Sequence, residues 1–408
     1  MQFSTALIVL TFLAVPALAQ NGSKVEPEPK SVTLPITLDH NRVIIDVYLP
    51  LPDGSTKRVR GWVDNGDTDL YLSERLAKMM GLTLICTGQV CVAPNPLPEI
   101  LIGGMKVPLS NVRLKIPQKP EGAESVAFRG MSAEIKIPSS VLRNYDVLID
   151  FPDREFSLGL PGSLKFKGVS AKVMVNADGL VQVPSQIANK KYNLSLDLGS
   201  SISFLSDELF GKLASEHPEY PHMTGAVGPA NLWGSPDEPR WKLMRVDRVQ
   251  YGPVFLTDVP VVKRTAGLTA GLLGSEALLN YRVGVDYAHS TAYFDLGSTF
   301  KFPDFDVIGL VLRPEDDTRF TIVGVADFEG KPSVPEVQAG DHLVAVDGIP
   351  VPDSTMGQVW SLLEGSPGQE RNLTIERDGK QFVIAAMVRH FLGEEDENTS
   401  KNKASGKN

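Results

Sequence analysis

The residues from which metal sites and disulfide frameworks are built are scarce here: 408 residues carry two cysteines and six histidines. His40, His217, His222, His289, His342 and His390 stand singly, with no pair at ligand spacing. They read as surface or structural residues, and no metal is expected. A basic excess is missing too. Forty Lys and Arg against 49 Asp and Glu leave a net charge of −9, which argues against non-specific nucleic-acid binding. After the first twenty residues no run reaches the roughly 18 apolar residues of a bilayer span, so stable membrane insertion is not expected. A hydrophobic content of 42% is still ample for folded cores, and the length asks for two or three domains.

What is present begins with an export pattern. Residues 1–19 hold an apolar run from Ala6 to Leu18 and a small-x-small site, Ala17-Leu18-Ala19, before Gln20. No cysteine follows that site, so a lipid anchor there is not expected, and the location read from it is secreted or periplasmic. In an exported chain the two cysteines, Cys86 and Cys91 in CTGQVC, read as a local disulfide that stiffens a turn. A metal there would need further Cys or His nearby.

The strongest signal is a repeat. Asp64–Leu76 reads DNGDTDLYLSERL and Asp197–Leu209 reads DLGSSISFLSDEL, a shared Asp-x-Gly turn, apolar run and polar helix start at an offset of 133 residues. Leu142–Asp150 (LRNYDVLID) and Leu278–Asp286 (LLNYRVGVD) agree at five of nine positions, at an offset of 136. Between them, Leu97–Leu114 matches Met244–Val261, each a strand, a glycine turn and a strand. Two related lobes, each offering one aspartate, are how a paired-carboxylate site is built in a single chain.

The expected fold is mainly β. A polar lead-in (20–30) precedes lobe one (31–160), where Asp53-Gly54 suggests a hairpin. Pro161-Gly162 breaks the pattern before lobe two (164–298). Helix is expected after each Asp-x-Gly turn, with Ser73 and Ser206 as N-caps and Leu76, Ala77, Met79 and Met80 on the apolar face of the first. Region 302–392 changes character, with strands around a helical stretch near Met356–Leu363 and an Asp378-Gly379 turn, and 393–408 reads as a disordered tail.

The lobes resemble the retropepsin/pepsin-type aspartic protease fold, through Asp-x-Gly in each lobe and through Gly271-Leu272-Leu273-Gly274-Ser275-Glu276-Ala277-Leu278 followed by Val283-Gly284-Val285-Asp286-Tyr287. The third region resembles a PDZ domain through Ala339-Gly340-Asp341-His342-Leu343 and Ala345-Val346-Asp347-Gly348. In that order the two resemble bacterial exported aspartyl proteases with a C-terminal PDZ domain. The resemblance implies a peptide hydrolase without a cofactor, in which Asp64 and Asp197 share one proton and activate a water. It implies Asn65, Gly66, Leu198, Gly199 and Ser200 as the supporting loops. It also implies peptide binding at Val307-Ile308-Gly309-Leu310.

The sequence departs from that family at two places. The residue after each catalytic aspartate is usually Thr or Ser, whose hydroxyl braces the loops; here it is Asn65 and Leu198. Lobe one has Ile137-Pro138 where lobe two has Leu273-Gly274. Leu198 favours the alternative reading, a catalytically inactive, protease-derived peptide-binding or scaffold protein. Other readings fit less well. Asp64, Asp67 and Asp69 invite a calcium loop, but the glycine is misplaced and no bidentate acid follows. Asp150 and Asp286 read as turn residues, and Ser200 and Ser201 have no histidine partner for a serine nucleophile.

Overall fold

Short alternating segments joined by glycine and Asx turns give this chain its strands, and the register of those strands brings the two aspartates together. The computed structural model describes residues 28–392 apart from 88–89, 94–96, 110–111, 118–127, 129, 225–227, 230–241, 265–269, 300–304, 316–317 and 329. The expected export segment, most of the lead-in and the polar tail lie outside the described residues. No helix among those described is long and apolar enough to cross a membrane.

Lobe one opens with the hairpin Arg42–Pro50/Thr56–Asp64. Its turn is set by Gly54 at φ +83° and by Asp53, whose Oδ1 accepts the Ser55 N–H at 2.9 Å. The strand Ile135–Pro138 then re-enters beside Thr56–Asp64 in parallel, with Pro138 opposite Asp64. Lobe two repeats the manoeuvre: Gly271–Leu273 lies parallel to Lys190–Leu196, and the Asp197 N–H donates to the Leu273 carbonyl at 3.0 Å. The Ile137-Pro138 departure fits this geometry. In lobe two the Gly274 N–H donates to Ser203 Oγ at 3.0 Å, a bond proline lacks, and Pro138 instead precedes the short helix Ser139–Leu142.

Each helix that follows an Asp-x-Gly loop starts where a serine caps it. Ser73 Oγ accepts the Leu76 N–H at 3.1 Å for Glu74–Met79, and Ser206 Oγ accepts the Leu209 N–H at 3.3 Å for Asp207–Glu216. Leu76, Ala77 and Met80 are buried, with Met79 packed partly against the same core. The third repeated pair forms the hairpins Glu99–Ile102/Met105–Pro108 and Lys242–Tyr251/Val254–Arg264. Cys86 and Cys91 are disulfide-bonded directly across the hairpin Ile85–Thr87/Val90–Val92.

The second repeat does more than mark equivalence. Asp146–Asp150 pairs antiparallel with its own copy, Tyr281–Asp286, Leu148 facing Gly284, at the centre of a six-stranded sheet drawn from both lobes. Equivalent segments meeting about their midpoint create an approximate twofold axis. Gly284 is glycine because a Cβ there would collide with the Phe166 ring. At the strand ends, Asp150 accepts the Asp153 N–H at 3.0 Å and Asp286 accepts the His289 N–H at 2.9 Å, which makes both of them turn residues.

The PDZ-like region is a sheet of Leu310–Pro314, Phe320–Val325, His342–Val346, Glu370–Arg377 and Lys380–Met387 around the helix Met356–Leu363. A reciprocal Thr355–Gln358 capping box starts that helix. Its apolar core runs on into Met223, Leu243 and Val262 of lobe two. At the helix start the Gly357 N–H donates to Asp39 Oδ1 of lobe one at 2.9 Å. The PDZ region is therefore docked on both lobes.

Ile149 is fully buried in the interlobe sheet, opposite Val283. Ile149→Ala is expected to destabilise the protein by about 2–5 kcal/mol. Urea unfolding followed by tryptophan fluorescence checks this, and an unchanged midpoint would contradict the central role of the sheet.

Candidate active site

The two Asp-x-Gly loops meet back to back at the floor of a cleft of about 1420 Å³ whose lining includes Asp64, Gly66, Asp197 and Gly199. Asp64 ends one strand and Asp197 follows its counterpart, so the pseudo-symmetry carries both carboxylates to the same place. Each is oriented by its own loop. Asp64 Oδ1 accepts the Gly66 N–H at 3.0 Å; Asp197 Oδ1 accepts those of Gly199 at 3.1 Å and Ser200 at 3.0 Å. A Cβ at Gly66 would overlap the Asp197 carboxyl, and one at Gly199 the Asp64 carboxyl. The glycines are required by this close approach, not by an unusual φ.

The departure at Asn65 and Leu198 has a structural answer. Asn65 Nδ2 donates to the Leu196 carbonyl at 2.8 Å while its Oδ1 accepts the Leu198 N–H at 2.7 Å, both across the lobe boundary. One planar amide offers a donor and an acceptor together, so the brace is built from lobe one alone. Leu198 lies buried in the shared core, and its carbonyl accepts Ser275 Oγ at 2.8 Å. Ser139 is the equivalent in lobe one: its N–H and Oγ both reach the Asp67 carbonyl at 2.8 Å. Ser200 Oγ turns away to the Ile202 carbonyl at 2.7 Å.

The sequence reading passed over Lys136, the main polar neighbour of Asp64. Lys136 is 1% exposed, with Nζ 3.5 Å from Asp64 Oδ2, ion-paired to Asp67, and 4.1 Å from the Tyr71 ring centroid. By the repeat, Asp67 and Lys136 stand where lobe two has Ser200 and Leu272. A lysine inside Ile135-Lys136-Ile137, opposite an all-apolar copy, was the available signal. Asp69 is held by Arg113 and Lys115.

These contacts divide the two acids. Burial raises the Asp64 pKa, and the Lys136 charge opposes that rise. Asp197 is pushed up to about 7, by burial first and then by the Asp64 charge. Two buried like charges do not both ionise, so the pair holds one proton, and the lysine beside Asp64 leaves that proton on Asp197. For Asp67, burial is outweighed by Lys136 and the loop N–H groups, so its pKa is lowered. On the lobe-two wall the Glu276 carboxyl accepts the Ser203 N–H at 2.8 Å, while its other oxygen is buried without a partner among the described residues; burial pushes it up to about 8.

In the PDZ region Val307, Ile308 and Leu310 are buried. The Ile308 N–H donates to the Leu363 carbonyl at 3.0 Å and the Leu310 N–H to the Ile308 carbonyl at 2.7 Å. The outer edge of the strand Leu310–Pro314 pairs in parallel with Gly228–Pro229 of lobe two. That sheet edge is thus covered by the chain itself.

The PDZ-domain family model matches residues 307–386, and a PDZ domain supports binding of a peptide or partner. The chain matches no curated protein. Among solved structures it is similar to the crystal structure of basic 7S globulin from soybean. The identity is 12%, the match covers 67% of this chain and 100% of that one, and the TM-score is 0.38. At that distance the likeness assigns neither an activity nor a residue role.

Asn65→Ala strips partners from the Leu196 carbonyl and the Leu198 N–H, for an expected loss of about 2–4 kcal/mol. Chemical denaturation checks it, and a loss below about 0.5 kcal/mol would remove the brace from the account. Lys136→Met leaves the buried Asp64 and the half-buried Asp67 without their lysine, with an expected loss of about 2–4 kcal/mol at neutral pH. Because the folded pKa of Asp67 lies below its unfolded value, its pairing stabilises above about pH 4 and is lost as pH falls through the folded value. The gap between Lys136→Met and the parent should therefore narrow in acid; a pH-independent gap contradicts the pairing.

Proposed function

We propose that the protein is an exported aspartic endopeptidase that hydrolyses peptide bonds with Asp64 and Asp197. One observation carries this reading: two carboxylates face each other in an interlobe cleft, one retaining its proton to about pH 7 and the other beside a buried lysine. In this role ionised Asp64 takes a proton from a water that attacks the peptide carbonyl. Protonated Asp197 hydrogen-bonds the developing oxyanion. As the tetrahedral intermediate collapses, the C–N bond breaks, and the proton gained by Asp64 passes to the leaving amine. Peptides or unfolded proteins are the proposed substrates, with the PDZ domain at the mouth of the cleft binding a peptide or partner. Export to a secreted or periplasmic location belongs to the same proposal and rests on residues 1–19.

A second reading has a specific observation behind it. The Lys136 charge lowers the basicity of Asp64, and Leu198 gives no hydroxyl to the brace. Both fit a chain that has kept the cleft to hold peptides and has lost the chemistry.

Cleavage of a mixed peptide library from pH 3 to 8 by the mature chain, Asp64→Asn and Asp197→Asn separates the two. The endopeptidase reading expects cleavage that is abolished in both variants. Activity should fall above about pH 7 as Asp197 ionises and fall in acid as Asp64 protonates, at a pH above the ordinary carboxylate range. No cleavage at any pH by a folded parent overturns that reading and leaves the peptide-binding one.

A further inference from the structure

Arg42 is 2% exposed and ranks first among the largest fully buried side chains. It follows a tight turn whose two residues, His40 and Asn41, take φ of 48° and 64°, and it pairs across that turn with Asp39. The turn is wedged where three parts of the molecule meet. Asp39 Oδ1 accepts the Gly357 N–H of the PDZ helix, the His40 ring meets the Trp360 ring edge-on at 4.9 Å, and Asn41 Nδ2 lies 3.5 Å from the Ser201 carbonyl of lobe two. From this junction Arg42 lines the same cleft as Asp64 and Asp197.

Its guanidinium is satisfied in part at most. Nε and Nη1 are buried with no hydrogen-bond partner among the described residues. The charges of Asp39 and Asp64 act on it, and burial lowers its pKa only to about 10, so it stays a cation at neutral pH. His40 does not compensate, since burial and the Arg42 charge push it down to about 3 and leave it neutral. Asp39 makes no ion pair with Arg42, and its own Oδ2 is without a partner among the described residues. Buried cations are normally paired, and a guanidinium N–H left without an acceptor matches a carboxylate oxygen in a charge-assisted hydrogen bond.

Resting on the endopeptidase reading, we propose that Arg42 binds a carboxylate of the peptide, which makes acidic peptides the substrate class. The carboxylate comes from an acidic side chain near the scissile bond or from the free C-terminus of a short peptide. Both present the same group to the guanidinium, and the position of the bound carboxylate relative to the cut separates them.

The test uses one fluorogenic peptide core with Glu or Gln at successive positions around the scissile bond, each made with a free or an amidated C-terminus. The native chain, Arg42→Met and Arg42→Lys are compared, with folding followed by thermal melts. A native preference of at least about tenfold in kcat/KM for one carboxylate-bearing series is expected. A preference for Glu over Gln identifies the side chain as the source; one for free over amidated ends identifies the terminus. Arg42→Met should lose the preference, read as the ratio of kcat/KM for the carboxylate-bearing peptide to that for its neutral, amidated partner, and Arg42→Lys should keep part of it. The proposal is overturned by the absence of any native preference, or by a preference that survives Arg42→Met. An Arg42→Met chain that does not fold leaves the decision to the native preference and to Arg42→Lys. Fluorescence anisotropy of the same peptides, labelled, separates the two readings. Carboxylate-dependent binding without cleavage keeps the Arg42 site and removes the endopeptidase; cleavage without carboxylate preference does the reverse.

Discussion

Two carboxylates brought face to face across a lobe boundary repel each other, and much of the surrounding structure answers that repulsion. The backbones approach because glycines occupy the two contact points. The proton stays on Asp197, pushed up to about 7, while Lys136 stands beside Asp64. Burial strengthens each of these effects, because the same charges in water would be screened to little consequence. Asn65 ties the loops together across the boundary, so the repulsion is met by hydrogen bonds to backbone that is itself fixed in strands.

The two lobes keep one backbone plan and divide its polar work unequally. The re-entrant parallel strand, the capped helix and the serine that fastens the loop recur in both, Ser139 to the Asp67 carbonyl and Ser275 to the Leu198 carbonyl. The side chains at equivalent positions around the two aspartates differ. Lobe one supplies Asn65, Asp67 and Lys136, and lobe two supplies Leu198, Ser200 and Leu272 in their places. A one-sided brace suffices because an amide reaches both a carbonyl and an N–H, where a hydroxyl pair would need one member from each lobe. Leu198, released from that task, fills apolar core.

The PDZ region is joined to the cleft physically. Its helix start is anchored on Asp39, three residues before Arg42, and its core merges with lobe two through Leu243 and Val262. The edge of its strand Leu310–Pro314 is paired at Val311 and Leu312 with Gly228–Pro229. Contacts of this kind tie the PDZ region to both lobes.

By itself the sequence determined what short-range rules control. The duplicated lobes, the Asp53-Gly54 turn, the serine-capped helices, the helix Met356–Leu363 and the candidate pair Asp64/Asp197 were all legible, because turns, caps and periodicity depend on residues a few positions apart. Even the Cys86–Cys91 bond is local. Tertiary structure decided the rest. Asn65 meets Leu196 and Leu198 some 130 residues away, Lys136 finds Asp64 only because its strand re-enters in parallel, and the repeated nonapeptide pairs with its own copy. The same holds for the PDZ strand edge, which is covered by a distant segment of lobe two. A buried polar group has no preference written in its neighbours along the chain. Its partner is set by which strands the fold brings alongside it, and only the folded register determines that.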